Sequence, residues 1–337
     1  MFDFSYVPEK PLIRPETEEI AKRLLRYHQT TISRNLVVVG PRGSGKTVTL
    51  QYLAKRFAER GIQLPFYGVN CRVHSTSFKI LSEILGVRPR GYAFSELCVR
   101  FEQAIPSPAV IVLDEVEMLA DRGARNDVLY FLSRSPKRYS VVLLTNNPRY
   151  AQTVDGSIRS SLQPELIFFR SYSAPEILDI LKDRAETGLH AGEAGMVEEI
   201  AAMTARNTNG DVRVAIKTLL YCATREAGTV TECFNKARED VIKDVLVHAN
   251  EKALLILKAA IEDPNKLVKS VYERYVKLSR GCHEEPYGYT QFHSNLGYLA
   301  SLGLIMLVCA KVDRTLTSRI EPLVSEEEVN AVIARRF

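Results

Sequence analysis

The chain has 337 residues, a formal net charge of +5, and a composition that is 46% hydrophobic and 25% charged. This length allows about two or three domains, and the composition is that of a globular chain with hydrophobic cores. The mild positive charge permits a polyanionic partner without requiring one. The longest apolar stretch, residues 296–310, is too short and too interrupted by Gly and Ser to cross a bilayer. With scattered cysteines and no signal peptide pattern, we expect a cytoplasmic protein without a membrane partner.

The most informative motif comes early in the chain, between an apolar run at 36–39 and a helix predicted at 48–60. The P-loop pattern G-x-x-x-x-G-K-T is matched by Gly40, Pro41, Arg42, Gly43, Ser44, Gly45, Lys46 and Thr47. We expect these residues and the following Val48 to bind ATP or ADP, with Lys46 on the phosphates and Thr47 on Mg²⁺. A glycine-rich turn that matches by chance is the alternative.

Short apolar strands and helices alternate along the first half of the chain. After the strand at 36–39, further strands are predicted at 64–70, 109–113 and 141–145, with helices between them. This alternation predicts an α/β layer, a mostly parallel sheet flanked by helices. A further helix is predicted ahead of the first strand, from Pro15 to about His28.

Polar residues stand at the carboxyl ends of two of these strands. Asp114 and Glu115 end one strand, and Asn146 ends the next. Because the carboxyl ends of parallel strands meet the phosphates, we expect Asp114 to hold Mg²⁺ and Glu115 to polarise the attacking water. The neutral amide of Asn146 would orient that water without repelling the phosphate, a role called sensor 1. Helix capping by the acids and a turn role for Asn146 are the alternatives.

Beyond residue 170 the sequence predicts helices, followed by two strands near the end. Helices from about Ser173 to residue 246 predict an all-helical unit, or lid. Three more helices between 249 and 302, followed by strands at 304–309 and 315–323, are typical of a winged helix-turn-helix. The predicted domains are therefore 1–170, 171–246 and 247–337.

Arg213 is a candidate phosphate ligand in the helical unit. It lies in the first turn of a predicted helix whose N-cap is Asp211. A cation at that place is unfavourable by roughly 0.3–1 kcal/mol unless an anion lies nearby. We expect Arg213 to contact the γ-phosphate, a role called sensor 2, and a local pair with Asp211 is the alternative.

Several motifs occur in the order that one AAA+ group shows: the P-loop, LDEVE, LLTNN, the segment from Ser160 to Leu181, GDVRVAI and YLASLGLI. In these the chain resembles archaeal members of the origin-recognition-complex and cell-division-control (Orc/Cdc) family over nearly its whole length. The resemblance implies a slow, Mg²⁺-dependent ATPase whose winged helix binds duplex DNA at replication origins in the nucleoid. It also implies that the replicative helicase, and further copies or paralogues on DNA, are partners.

The resemblance also implies roles for particular residues. Tyr172 would lie near the base of the nucleotide, with a core tyrosine as the alternative. Arg88 and Arg90, at the tip of the segment 74–94, would contact DNA, with a solvated loop as the alternative.

The winged helix offers further candidate DNA contacts. Its third helix is predicted to expose Gln291, Ser294, Asn295 and Tyr298 toward a DNA groove. The two strands and the turn between them supply phosphate contacts from Lys311, Arg314 and Arg319.

One departure from the family concerns the arginine that acts on a neighbouring subunit's ATP. Ser157 stands at the expected position, and Arg159 is either its substitute or a surface residue. Such an arginine is worth ~10³–10⁵ in rate, so its absence predicts very slow hydrolysis. The alternatives to a replication initiator are another AAA+ remodeller and a winged-helix transcriptional regulator.

Overall fold

The computed structural model describes residues 6–9, 11–88, 90–119, 126–188, 194–224, 228–312 and 315–336. These residues form two compact units. Among the described residues, the first comprises 6–40 together with Gly45–Arg170, and the second comprises Pro41–Ser44 and the residues from Ser171 onward. Among the residues in these ranges, no helix is both long and apolar enough to cross a membrane.

A parallel five-stranded sheet forms the centre of the first unit, with the strand order β2-β3-β4-β1-β5. The strands are β1 (Leu36–Val39), β2 (Phe66–Asn70), β3 (Val110–Asp114), β4 (Ser140–Thr145) and β5 (Glu165–Phe168). The predicted α/β layer is therefore confirmed, and four strands lie where the apolar runs placed them. Because β1 lies between β4 and β5, the P-loop that follows it leaves from the interior of the sheet.

The fifth strand was not predicted from the sequence. It forms one edge of the sheet, and only Ile167 of its side chains is buried, so it lacks the apolar run of the interior strands. Leu166 and Phe168 are exposed, and Glu165 pairs with Arg23 at 2.8 Å and with Arg34 at 3.4 Å.

Helices cover both faces of this sheet, and the alternation of side chains along β1 shows how. Leu36 and Val38 pack in one core with α1 and α2, whereas Val37 and Val39 pack in a second core on the other face. The helices of this unit are α1 (Pro15–Thr30), α2 (Lys46–Glu59), α3 (Ser77–Leu85), α4 (Phe94–Ala104), α5 (Asp127–Arg134), α6 (Tyr150–Thr153) and α7 (Gly156–Leu162). The last three were not predicted.

From Ser171 onward the second unit consists of helices and one two-stranded ribbon near residue 310, as predicted. Its helices are α8 (Ala174–Gly188), α9 (Ala194–Asn207), α10 (Val212–Ala223), α11 (Val230–His248), α12 (Glu251–Glu262), α13 (Val268–Gly281), α14 (Tyr289–Ser301) and α15 (Glu326–Ile333). The antiparallel ribbon, β6 (Ile305–Val312) and β7 (Thr315–Pro322), follows α14. Three helices followed by such a ribbon have the arrangement of a winged helix. The boundary between a lid and a winged-helix domain within this unit stays a prediction.

One buried amide connects three segments around the start of β1. The Asn35 side chain donates to the carbonyl oxygen of Leu162 (2.7 Å) and accepts from the backbone N–H of Val141 (2.8 Å). The same oxygen accepts from the Ser33 hydroxyl at 3.1 Å. Because buried backbone groups are costly to leave unpaired, this side chain fixes the start of β1 against β4 and the end of α7.

We therefore expect Asn35→Ala to destabilise the protein. The substitution leaves the Val141 N–H and the Leu162 carbonyl without this partner, at a cost of about 1–3 kcal/mol for each group. Urea unfolding measures the loss, with Ser160→Ala on the exposed surface of α7 as the control. Equal unfolding midpoints for the two variants would contradict this assignment.

Candidate functional site

The P-loop connects β1 to α2 through backbone conformations that favour glycine. Gly43 has a φ of +70°, and Gly45, with a φ of +86°, is the N-cap of α2. The N–H of Gly40 donates to the carbonyl oxygen of Thr145, so the loop begins beside the end of β4. A helix that begins at Lys46 directs its first backbone N–H groups toward the loop, which is an anion-binding arrangement.

Lys46 is almost fully buried, with 7% of its surface exposed. Its ammonium donates to the carbonyl oxygen of Gly40 at 2.8 Å and to the Oδ1 of Asn146 at 3.0 Å. The structure therefore brings the P-loop lysine and the predicted sensor 1 amide into direct contact. A cation at the N-terminus of α2 complements the negative charge of a phosphate.

The two predicted Mg²⁺ ligands also lie together. The Thr47 hydroxyl donates to the Oδ2 of Asp114 at 2.7 Å, and the backbone N–H of Glu115 donates to the Oδ1 of Asp114 at 2.8 Å. Burial raises the pKa of the Asp114 carboxyl above its usual value. A hydroxyl and a carboxylate side by side are hard oxygen donors of the kind that Mg²⁺ prefers, so these residues fit the ion. When bound, Mg²⁺ supplies positive charge that neutralises the phosphates.

Glu115 has an unusual backbone conformation, with a φ of +49°. A non-glycine residue in this left-handed region costs on the order of 1–3 kcal/mol and is found preferentially at functional sites. Its Oε2 lies 3.9 Å from the Nε of Arg72, a residue just beyond β2. Sequence reasoning missed Arg72, since its place beside Glu115 depends on β2 being the neighbour of β3.

Glu117 is a second residue that sequence reasoning missed. It lies in a short 3-10 turn, Val116–Met118, that follows Glu115. Its Oε1 accepts from the backbone N–H of Asn146 at 3.1 Å and from the side-chain Nδ2 of Asn146 at 3.0 Å. The signal was present as the third acid of LDEVE, but an acid in a turn is ordinarily a solvated residue.

In the second unit, Arg213 pairs with Asp211, the local alternative that its sequence position left open. The Arg213 Nε donates to the Oδ1 of Asp211 at 2.9 Å, and the Asp211 carboxylate also caps α10. Burial opposes ionisation of this carboxyl, but Arg213 and Arg42 hold its pKa below the usual value. The γ-phosphate contact of Arg213 stays a prediction.

The same carboxylate explains the glycine at position 43. A Cβ on Gly43 would come within 2.0 Å of the Asp211 carboxylate. Tyr172 is half-buried and packs against the core of α8, α9 and α10, and a Cβ on Gly210 would meet its carbonyl oxygen at 2.3 Å. Both glycines are therefore required by close approach as well as by positive φ.

The candidate DNA contacts are distributed over several places. Arg88 and Arg90 are exposed, as is Gln291, whereas Ser294 and Asn295 are half-buried. Tyr298, which was predicted to be exposed, is buried, with only 9% of its surface exposed. The buried face of α14 is therefore wider than its leucines indicated.

The ribbon residues are only partly described. Arg319 is 49% exposed and pairs with Glu321 at 2.7 Å. Lys311 lies on β6, but its side chain is outside the described residues, as is the whole of Arg314. Arg159, the candidate substitute for the missing arginine, is exposed on α7, and Ser157 donates to Asp155.

The chain is similar to known proteins over most of its length. Residues 31–148 match a family described as an AAA domain, and residues 178–243 match the Cdc6 AAA+ ATPase-type lid domain. An ORC1-type DNA replication protein of Desulfurococcus amylolyticus is 28% identical over 334 residues, covering 89% of this chain and 84% of the relative.

Two solved structures show the shared fold. The ORC1 protein of Aeropyrum pernix in complex with DNA is 24% identical, with a TM-score of 0.64, over 99% of this chain and 95% of that one. The ORC2 protein of the same organism, in ADPNP–ADP complexes, is 22% identical, with a TM-score of 0.67, over 99% and 97%. At these identities the likeness is evidence of the fold alone.

Substitution of the buried Lys46 tests whether the P-loop binds nucleotide. We expect Lys46→Ala to weaken ATP binding by about 100-fold or more, because a charge-assisted contact to the phosphates is lost. Titration with a fluorescent ATP analogue measures the affinity. Lys55→Ala, a half-exposed lysine on the same helix, is the matched control and should bind normally. Equal affinities for the two variants would exclude the P-loop as the nucleotide site.

Proposed function

We propose that the chain, which matches an AAA domain and a Cdc6-type lid and is similar to ORC1-type DNA replication proteins, is an ATP-dependent, DNA-binding initiator of DNA replication. It recognises duplex DNA at replication origins and helps to recruit or load the replicative helicase. Slow ATP hydrolysis switches it between states. One observation carries the proposal. At the carboxyl ends of the central strands, Lys46 lies together with Asp114, Glu115 and Asn146, and the same chain contains a winged-helix arrangement.

Each residue of this edge has a role in the proposed hydrolysis. Lys46 binds the β- and γ-phosphates, and Thr47 with Asp114 would hold Mg²⁺. Glu115 accepts the proton of the attacking water, and Asn146 orients that water. Arg72 places an opposite charge beside this residue, with its Nε 3.9 Å from the Oε2 of Glu115.

The second unit supplies the residues that would sense the nucleotide. Arg213 contacts the γ-phosphate in this proposal, and Tyr172 lies near the base. The pair between Arg213 and Asp211 supports such a sensor, because a phosphate would compete with the Asp211 carboxylate for the same guanidinium. Arg159, which is exposed, would act on the ATP of a neighbouring copy or paralogue.

Duplex DNA is the proposed macromolecular partner. A relative of the same fold has been solved in complex with DNA, and ORC1-type relatives are named as DNA replication proteins. We assign groove contacts to Gln291, Ser294 and Asn295 on α14, and phosphate contacts to the ribbon and to Arg88 and Arg90. Since Arg319 shares its charge with Glu321, Lys311 and Arg314 carry more of the phosphate contact.

Glu115→Gln tests the proposed base. The amide keeps the shape of the side chain but cannot accept the proton of water, so we expect hydrolysis to fall by about 100-fold or more while ATP binding is retained. Single-turnover hydrolysis of radiolabelled ATP measures the rate, and filter binding measures the retained ATP. Glu18→Ala, an exposed acid on α1, is the control. Rapid turnover by the Glu115→Gln protein would exclude Glu115 as the base.

The DNA contacts are tested through the salt dependence of binding. If four to six phosphates are neutralised, the logarithm of the affinity falls with the logarithm of salt concentration with a slope of roughly −4 to −5. Replacing Lys311, Arg314 and Arg319 together by Ala should reduce the magnitude of this slope by roughly 2–3, similarly on all sequences.

Fluorescence anisotropy on a random-sequence duplex and on a duplex footprinted in the source genome makes this measurement. Lys22→Ala, which removes a 74% exposed cation from α1, is the control and should leave the slope unchanged. A ribbon variant with an unchanged slope, or with an altered preference at one base pair, contradicts the assignment of these residues to phosphates.

A further inference from the structure

The third acid of LDEVE lies against the proposed sensor amide. Glu117 accepts both the backbone N–H and the side-chain Nδ2 of Asn146 through a single oxygen, Oε1. Its other oxygen, Oε2, is buried and makes no hydrogen bond within the described part of the chain. Both contacts of Glu117 are therefore directed at one residue.

We propose that Glu117 is a positioning residue that sets the orientation of the Asn146 amide for ATP hydrolysis. This inference rests on the proposed role of Asn146 in orienting the attacking water. Glu117 contacts neither the phosphates nor the water in the proposal, and acts only through Asn146.

The orientation follows from the charges on either side of the amide. A carboxylate accepts hydrogen bonds and an ammonium only donates them. With its Nδ2 on Glu117, the amide presents Oδ1 to the Lys46 ammonium at 3.0 Å. If the amide turned over, its NH₂ group would face the ammonium and its oxygen would face the carboxylate. Both contacts would then be repulsive, so the two charged neighbours select one orientation.

The burial of one oxygen of Glu117, Oε2, argues against a role in stability alone. The buried Oε2 loses solvation that no hydrogen bond from the described residues replaces. An apolar residue would fill the same turn without that loss. The ring of Tyr150, whose pKa is raised by burial and by the Cys71 and Glu117 charges, lies near and adds no positive charge. The interaction that explains this carboxylate is therefore its pair of hydrogen bonds with Asn146.

A double-mutant cycle tests the proposal in single-turnover hydrolysis at saturating ATP and Mg²⁺. We expect Glu117→Ala and Asn146→Ala each to lower the rate by about 10–100-fold, since a misplaced water-orienting group costs rate. The double variant should be no slower than Asn146→Ala, within about 3-fold, because the two residues act as one unit. Glu117→Gln keeps an accepting oxygen and should stay within about 3-fold of the unaltered protein.

Two further measurements do not depend on turnover. The affinity for a fluorescent ATP analogue should change by less than about 3-fold in Glu117→Ala, since its loss leaves Lys46 and the P-loop in place. Hydrogen exchange of the Asn146 backbone amide, measured without nucleotide, should become faster in Glu117→Ala because its acceptor is gone. Glu18→Ala again serves as the control for both.

The outcomes separate this inference from the proposed function. Three outcomes would each overturn the role of Glu117. They are rate losses that multiply in the double variant, a Glu117→Gln protein as slow as Glu117→Ala, and an ATP affinity that falls together with the rate. A slow Asn146→Ala protein beside a fast Glu117→Ala protein overturns that role alone. A fast Asn146→Ala protein removes the proposed role of Asn146 and, with it, that of Glu117.

Discussion

The proposed ATP site depends on one buried ammonium, that of Lys46. It donates to the Gly40 carbonyl at the start of the P-loop and to Asn146 just beyond β4, so it joins two segments that are far apart in sequence. The parallel ladder makes this possible, because β1 and β4 are neighbours in register and end at the same edge of the sheet. The P-loop and the proposed sensor amide of Asn146 are thus positioned by the same central strands.

Acidic residues are concentrated at this edge, and each has its own neighbours. Asp114 accepts from the Thr47 hydroxyl, Glu115 lies near Arg72, and Glu117 accepts from Asn146. The left-handed backbone at Glu115 turns the chain between them, so that successive acids point to different partners. This arrangement fits the separate roles proposed for the three carboxylates, which are metal binding, proton transfer and positioning.

Most of this architecture could be predicted from the sequence because its main elements have strong local sequence patterns. The P-loop, the interior strands and the terminal helices and ribbon have patterns that short windows reveal. The edge strand β5 lacks such a pattern, since it packs only one side chain inward. Arg72 and Glu117 were missed because their importance comes from neighbours that only the strand order brings close. For Arg213 the local partner, Asp211, was foreseeable from the sequence. Its proposed second partner, the γ-phosphate, belongs to a ligand and not to the chain.

The edge strand also bears on how the sheet avoids its own extension. A parallel sheet with an open edge presents unpaired backbone groups to any extended chain, and exposed Leu166 and Phe168 would make such pairing more favourable. Here the strand is only four residues long, and it begins at Glu165, whose carboxylate is shared by Arg23 and Arg34. A further strand paired with β5 would have to desolvate that charged cluster, and it would gain only the few backbone hydrogen bonds that a four-residue strand allows. The shortness of the strand and the ion pairs of Glu165 therefore protect this edge against self-association.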